Sequence, residues 1–158
     1  QDTGDKLYRR SLYTYWKRTV PPPSMATFDA PEREFCLVRR SRTNTPLQAF
    51  VMLHDPQFVE AARHLAKHMM NASKKHEEQL EHGFRLATSR LPNEKEKGVL
   101  HRLFKERLAF YRKEPKAAKT LLSVGESKRH KNLPEAEHAA WITVARALLN
   151  LSETITKN

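Results

Sequence analysis

Cysteine is almost missing from this chain. Cys36 is the only one, so no internal disulfide and no multi-cysteine zinc site can form. Flanked by Phe35 and Leu37, it reads as a small buried hydrophobe and not as a reactive thiol. Glycine is scarce too. Four scattered glycines cannot supply the consecutive backbone donors of a phosphate-cradling loop. HExxH, GxSxG, CxxC and CxxCH are all missing, and with them the chemistries that need those spacings. No apolar run reaches the length of a transmembrane helix, and no basic, apolar, small-residue leader opens the sequence.

What is present favours helix. Ala, Leu, Glu, Lys and Arg dominate a chain of 158 residues that is 39% hydrophobic and 30% charged. The apolar residues are clustered, so the length supports one domain, 1–158, with a real core. The net charge of +11 is unevenly spread. Residues 1–45 hold nine Lys/Arg against five acids, and residues 46–94 hold six against six. Residues 95–131 hold twelve against four, and the remainder two against three. The basic character therefore belongs to a late helix pair and its loop, including Lys105, Arg112, Lys116, Lys119, Lys128, Arg129 and Lys131. Such a surface suits an acidic protein, an anionic polysaccharide, a membrane surface or nucleic acid, or is a solvated face. No nucleic-acid motif accompanies it.

Along the chain, residues 5–19 predict a first helix with Tyr8, Leu12, Tyr15 and Trp16 on one side. The three prolines at 21–23 end it, and residues 20–43 predict an irregular wrap. Asn44 or Thr45 caps a short helix that opens with Pro46 and is apolar nearly all round, hence buried. Asp55-Pro56 starts a second helix to about Asn71, with Phe58, Ala61, Ala62, Leu65, Ala66 and Met69 inward. Helical segments follow at 76–90, 94–113 and 116–124, the second capped by Asn93 with Glu96. A mobile polar loop is expected at 125–132. The last helix, through Leu151, is apolar on so many sides that it must be central. The expectation is a single all-α irregular bundle of five to seven helices.

Three constellations stand out. Arg39, Arg40 and Arg42 precede the helix start at Asn44 and Thr45, where unpaired N–H groups and guanidinium charge could hold an anion. The competing and favoured reading pairs these arginines with Asp29, Glu32 and Glu34. Glu60, His64 and His68 share one helix stripe, which reads as an exposed polar flank before it reads as a metal site. Glu32 and Glu34 are the nearby carboxylates for acid–base work, and nothing in the sequence fixes their separation.

YRRSLYTYWKR, TFDAPEREFC, RRSRTNTPLQAF, HDPQFVEAARHLA and AWITVARALLNLSETI, in that order, resemble the C-terminal domain of unknown function of large planctomycete proteins that also carry a planctomycete-type cytochrome c domain. His54, Ser152 and Lys157 depart from the asparagine, aspartate and arginine expected there. The resemblance implies a module of a secreted or periplasmic protein, with other domains of the same polypeptide, including a haem c domain, as partners. It also accounts for Gln1 and the missing leader if the chain is an excised piece. No cofactor is expected on this segment. The function expected is that of a non-catalytic interaction module whose basic surface meets an acidic partner or anionic glycan. The alternatives are an enzyme domain with an arginine-lined anion site and, with less support, a nucleic-acid binder.

Overall fold

The computed structural model describes residues 4–17, 19–32, 34–39, 41, 43–130 and 132–156. Eight α-helices form among them: α1 (Pro23–Thr27), α2 (Pro46–His54), α3 (Pro56–Ala72), α4 (His76–Thr88), α5 (Glu94–Lys113), α6 (Pro115–Leu122), α7 (Glu135–Leu149) and α8 (Ser152–Ile155). Six are long enough to build the bundle, and the fold is all-α as the sequence predicts.

The helix starts follow local chemistry. The Thr45 hydroxyl accepts from the Gln48 amide while the Gln48 side chain accepts from the Thr45 amide, and Pro46 opens the turn. The Asp55 carboxylate caps α3 through the Gln57 amide. Asn93 and Glu96 close a second capping box on α5. α4 stops at Ser89, a non-glycine residue held at φ 64°. Beside it Arg90 forks onto both Glu96 and Glu153, tying α8 to the α4–α5 corner.

α7 is the axis of the bundle and packs against α2, α3, α4, α5, α6 and α8. His138, Ala139, Ala140, Trp141, Ile142, Val144, Ala145 and Leu148 are all buried along it. Trp141 stacks on Phe104 of α5 at 4.2 Å, and His76 meets the edge of that pair. A buried Leu, Ile or Phe contributes about 1.5–3 kcal/mol, whereas an exposed ion pair contributes about 0–1 kcal/mol. The stability of the fold therefore resides in α7 and its neighbours.

Several expectations change. Residues 5–19 are not one α-helix. Short 3-10 turns at Gly4–Tyr8 and Ser11–Tyr13 are separated by Arg10, which is extended at ψ 142°. Tyr, Ser and Thr are weak helix formers, and the Tyr8 hydroxyl is held by a partner on α3, so tertiary contact overrides the periodicity. Among the described residues the irregular wrap thus runs from Gly4 to Thr45, interrupted by α1. Cys36 is exposed, not buried. α2 is not buried all round: Leu47 and Phe50 face solvent, while Gln48 and Met52 turn inward. The buried stripe of α3 is Val59, Glu60, Ala62, Arg63, Ala66 and Met69, so Ala61 faces out and two charged residues face in.

Gly83 of α4 lies where an added Cβ would come within 2.5 Å of the buried Met69 thioether, whereas at Gly98 of α5 a Cβ meets nothing within 4 Å. Gly83→Ala should therefore lower the unfolding free energy by about 1–2 kcal/mol. Gly98→Ala should raise it by about 0.5–1 kcal/mol through helix propensity alone. Urea denaturation of both variants checks the opposite signs.

Candidate functional site

The densest polar constellation is built on α3, where Glu60 and Arg63 stand one turn apart and inside. Glu60 is 4% exposed and Arg63 1%. Their side chains are 3.5 Å apart. That pair alone would not repay desolvation. The loop after α6 supplies what is missing.

Arg63 donates to the carbonyls of Leu122 (2.6 Å), Val124 (2.8 Å) and Ser127 (2.8 Å), and to the Ser127 hydroxyl (2.6 Å). These acceptors include the open end of α6, where carbonyls lack helical partners and carry partial negative charge. Glu60 receives the complementary set. The amides of Glu126 (3.1 Å) and Ser127 (2.8 Å) donate to its two oxygens. Gly125, at φ 90°, bends the backbone into this concavity, and a Cβ there would fall 2.3 Å from Glu60 Oε2. The loop is thus an anion nest occupied by the chain's own carboxylate. The Tyr8 hydroxyl donates the last bond, 2.7 Å, and brings in the wrap. Gly4 N donates to Glu126 beside it.

Burial pushes the Glu60 carboxyl up, but the bonds from Ser127, Tyr8 and the two amides outweigh it and bring it down to about 2. Accepting that phenolic proton raises Tyr8. Three histidines surround the same arginine. His64 Nε2 lies 3.0 Å from Ser127 Oγ, the His64 and His130 rings meet edge to face, and His138 Nε2 is 3.3 Å from the Arg63 carbonyl. Burial, first of all, depresses all three, and the Arg63 charge adds to it.

The Ser127–His64 distance suits a nucleophile and its base. The surroundings do not. Arg63 already donates to Oγ, and the amides of residues 126 and 127, best placed to receive an oxyanion, are taken by Glu60. Every partner named here is internal, so the cluster's chemistry is that of a clamp. Above it opens a mostly apolar cavity of ≈ 550 Å³ between Tyr8, Phe58, Ala61 and His64.

The residues singled out from sequence fall elsewhere. Arg40, Arg42 and Lys131 lie outside the described residues. Arg39 and Asn44 are exposed, and the Thr45 hydroxyl is engaged by Gln48. Asp29 accepts from Thr43 N and Oγ1, and with Glu32 and Glu34 it lines a cavity of ≈ 310 Å³. Lys105, Arg112, Lys116, Lys119 and Lys128 are exposed, while Arg129 is half-buried against Glu135. The flank Glu60–His64–His68 is corrected: Glu60 is buried. Among the described residues no group of three or more His, Cys, Asp or Glu could hold a metal ion. The loop 125–130 is not a free polar loop, because residues 126 and 127 are bonded to α3. One signal could have exposed the clamp. Glu60 and Arg63 sit beside Val59 and Ala62 on the stripe that Ala66 and Met69 continue, a face otherwise apolar.

A family model described as PSD1, protein of unknown function (DUF1553), matches residues 1–104. The chain belongs to that family. The match takes in Tyr8, Glu60, Arg63 and His64, while the nest at 125–127 and α7 lie beyond it. No curated protein and no solved structure matches the chain.

Glu60→Gln should lower stability by about 3 kcal/mol, because Arg63 and the two amides lose their anion. Gly125→Ala should cost about 2 kcal/mol or more, from a strained φ and the contact with Glu60. Urea titration with far-UV circular dichroism measures both, and an unchanged midpoint for either variant would remove the clamp. The acid dependence has two parts. Glu60 lies below the ordinary carboxylate value, so its contribution is whole above that value and lost only as pH falls through about 2. The histidines lie below their unfolded value of about 6.5, so the unfolded chain takes up protons first and stability declines as pH drops through that value. Unfolding free energies measured at about pH 7.5 and about pH 5.5 should therefore differ, lower at 5.5, with the gap narrowed in His138→Gln.

Proposed function

We propose that this domain is a non-catalytic interaction module whose basic face on α5 and the start of α6 contacts an anionic surface. The observation that carries this reading is the α5 stripe. Lys95, Arg102, Lys105 and Arg112 recur at spacings of seven, three and seven, are exposed, and share one side of the helix. They span about 25 Å of its axis. The positions between them on that side, Gly98 and Ala109, are small, so a partner surface can approach closely. Lys116 and Lys119, one turn apart and exposed, extend the charge onto α6. Glu106 borders the stripe without interrupting it.

The partner that fits is an acidic domain of the same polypeptide or an anionic glycan. The resemblance to planctomycete proteins with a haem c domain supports the first, in a periplasmic or secreted setting. The engagement of Ser127 Oγ by Arg63, and of the amides of residues 126 and 127 by Glu60, supports a non-catalytic role. Among the described residues no helix is long and apolar enough to cross a membrane.

Binding of the chain to a sulfated glycan such as heparin should weaken steeply between about 50 and 200 mM salt. The paired variant Lys105→Glu, Arg112→Glu should bind at least about tenfold more weakly, on the order of 1.4 kcal/mol. Affinity that ignores salt, or that the paired variant leaves intact, rejects this surface. Equal affinity and salt slope for a DNA duplex would move the assignment to nucleic acid.

A further inference from the structure

Three residues past Ser127 the loop places a second imidazole against α3. The His130 ring meets the His64 ring edge to face with centroids 5.9 Å apart. Its Nε2 is buried and, among the described residues, finds no hydrogen-bond partner. His64 Nε2 lies 3.0 Å from Ser127 Oγ, the hydroxyl that Arg63 also holds. The two rings thus join the helix to residues 127–130. As neutral rings they suit that place. As imidazolium ions they do not, because both nitrogens of a protonated ring carry hydrogen, and His130 Nε2–H would be a buried donor without an acceptor.

The charges around the pair are mostly of the same sign. From α3, Arg63 and Lys67 oppose a charge on either ring, and His68 opposes one on His64. From α7, His138 is close enough to be opposed by His130 in turn, while Glu135 is held by Arg129. Within the loop Lys128 is exposed and Glu126 accepts from the Gly4 amide. Glu60 alone favours a proton on His64, and Arg63 outweighs it. Its oxygens are already taken by Tyr8 and the two loop amides. Little else resists movement. Residues 125–130, Gly-Glu-Ser-Lys-Arg-His, bring no apolar side chain to the core, and the bonds that fasten them are of a kind water can replace. Opening such a segment costs less than unfolding helices closed by apolar burial. We propose that residues 125–130 are an acid-opened latch: protonation of His64 and His130 drives the loop off α3, and the Gly4 end of the wrap with it, while the helices stay packed.

The sign follows from the closed loop. Burial, first among the causes, holds both rings below their ordinary value, so the open form takes up protons first as pH falls through about 6.5. Each histidine then favours opening by about tenfold between about pH 7.5 and about pH 5.5. Hydrogen exchange on the whole chain at those two pH values tests this, read as protection factors so that the pH dependence of the exchange chemistry drops out. Protection of the amides of residues 126 and 127 should fall by about ten- to a hundredfold and lie well below that of α7, with the circular dichroism spectrum unchanged. His130→Leu keeps an apolar side chain but no proton site, and should remove about tenfold of the fall. His138→Gln should leave the fall in the loop intact. Unchanged protection at 126 and 127 overturns the latch. So does a loop that exchanges as one unit with α7, or a fall that His130→Leu leaves whole or His138→Gln abolishes. Ring resonances of the unaltered chain give a second reading that needs no variant. The His64 and His130 titrations should coincide with shifts of the amides of residues 126 and 127, and a His130 ring that titrates without moving them rejects the coupling.

Discussion

The bond set between α3 and the loop after α6 is the constraint on which the rest of the molecule turns. Glu60 and Arg63 are charged, one turn apart and buried, a combination that is unfavourable unless each lone pair and proton finds a partner. Here both groups find backbone, although Arg63 Nε stays without a partner. The carboxylate collects amides, the guanidinium collects carbonyls, and the loop between residues 122 and 127 can have only the path that serves both. That path ends α6 and carries the chain into the start of α7. The same carboxylate holds Tyr8 and so fixes the far end of the chain. Three segments remote in sequence thus share one anion.

How much of this was legible follows the range of the interactions. The capping box at Asn93–Glu96, the Asp55-Pro56 start, the limits of α5 and, to within Asn44 or Thr45, the N-cap of α2 were readable, because each is decided by residues within one turn. The centrality of α7 was readable from apolar residues on every side. The clamp was not, since Glu60 and Arg63 bond to backbone atoms of residues 59 to 67 positions away, which carry no side-chain signature. The first helix misled for a related reason. Its period-four aromatics imitate a packing stripe, yet Tyr8, Leu12 and Tyr15 are exposed, and the Tyr8 hydroxyl is bonded to α3. The arginines before α2 drew attention as a charge cluster, while the arginine that organises the interior, Arg63, was hidden after Ala61 and Ala62.

The two charged features differ in kind. Inside, the buried charge is paired and bonded largely to backbone and serves architecture. Outside, on α5, charge of one sign accumulates where small residues leave room for a partner. That division explains how a chain of net charge +11 holds a buried ion pair and still presents a strong field to solvent.

The wrap and the bundle are held by different physics. The bundle is closed by apolar burial along α7. The wrap is fastened by polar bonds: Tyr8 to Glu60, Gly4 to Glu126, and Gln48, whose side chain holds the Thr27 carbonyl and the Thr43 hydroxyl at 2.8 Å each. Many of its large side chains, among them Tyr13, Tyr15, Val20 and Phe35, remain in water. Apolar exposure raises the heat capacity on unfolding and polar exposure lowers it. Detachment of the wrap is therefore a transition of small heat-capacity change and shallow denaturant slope, and the curvature of the stability curve with temperature belongs to the helices alone.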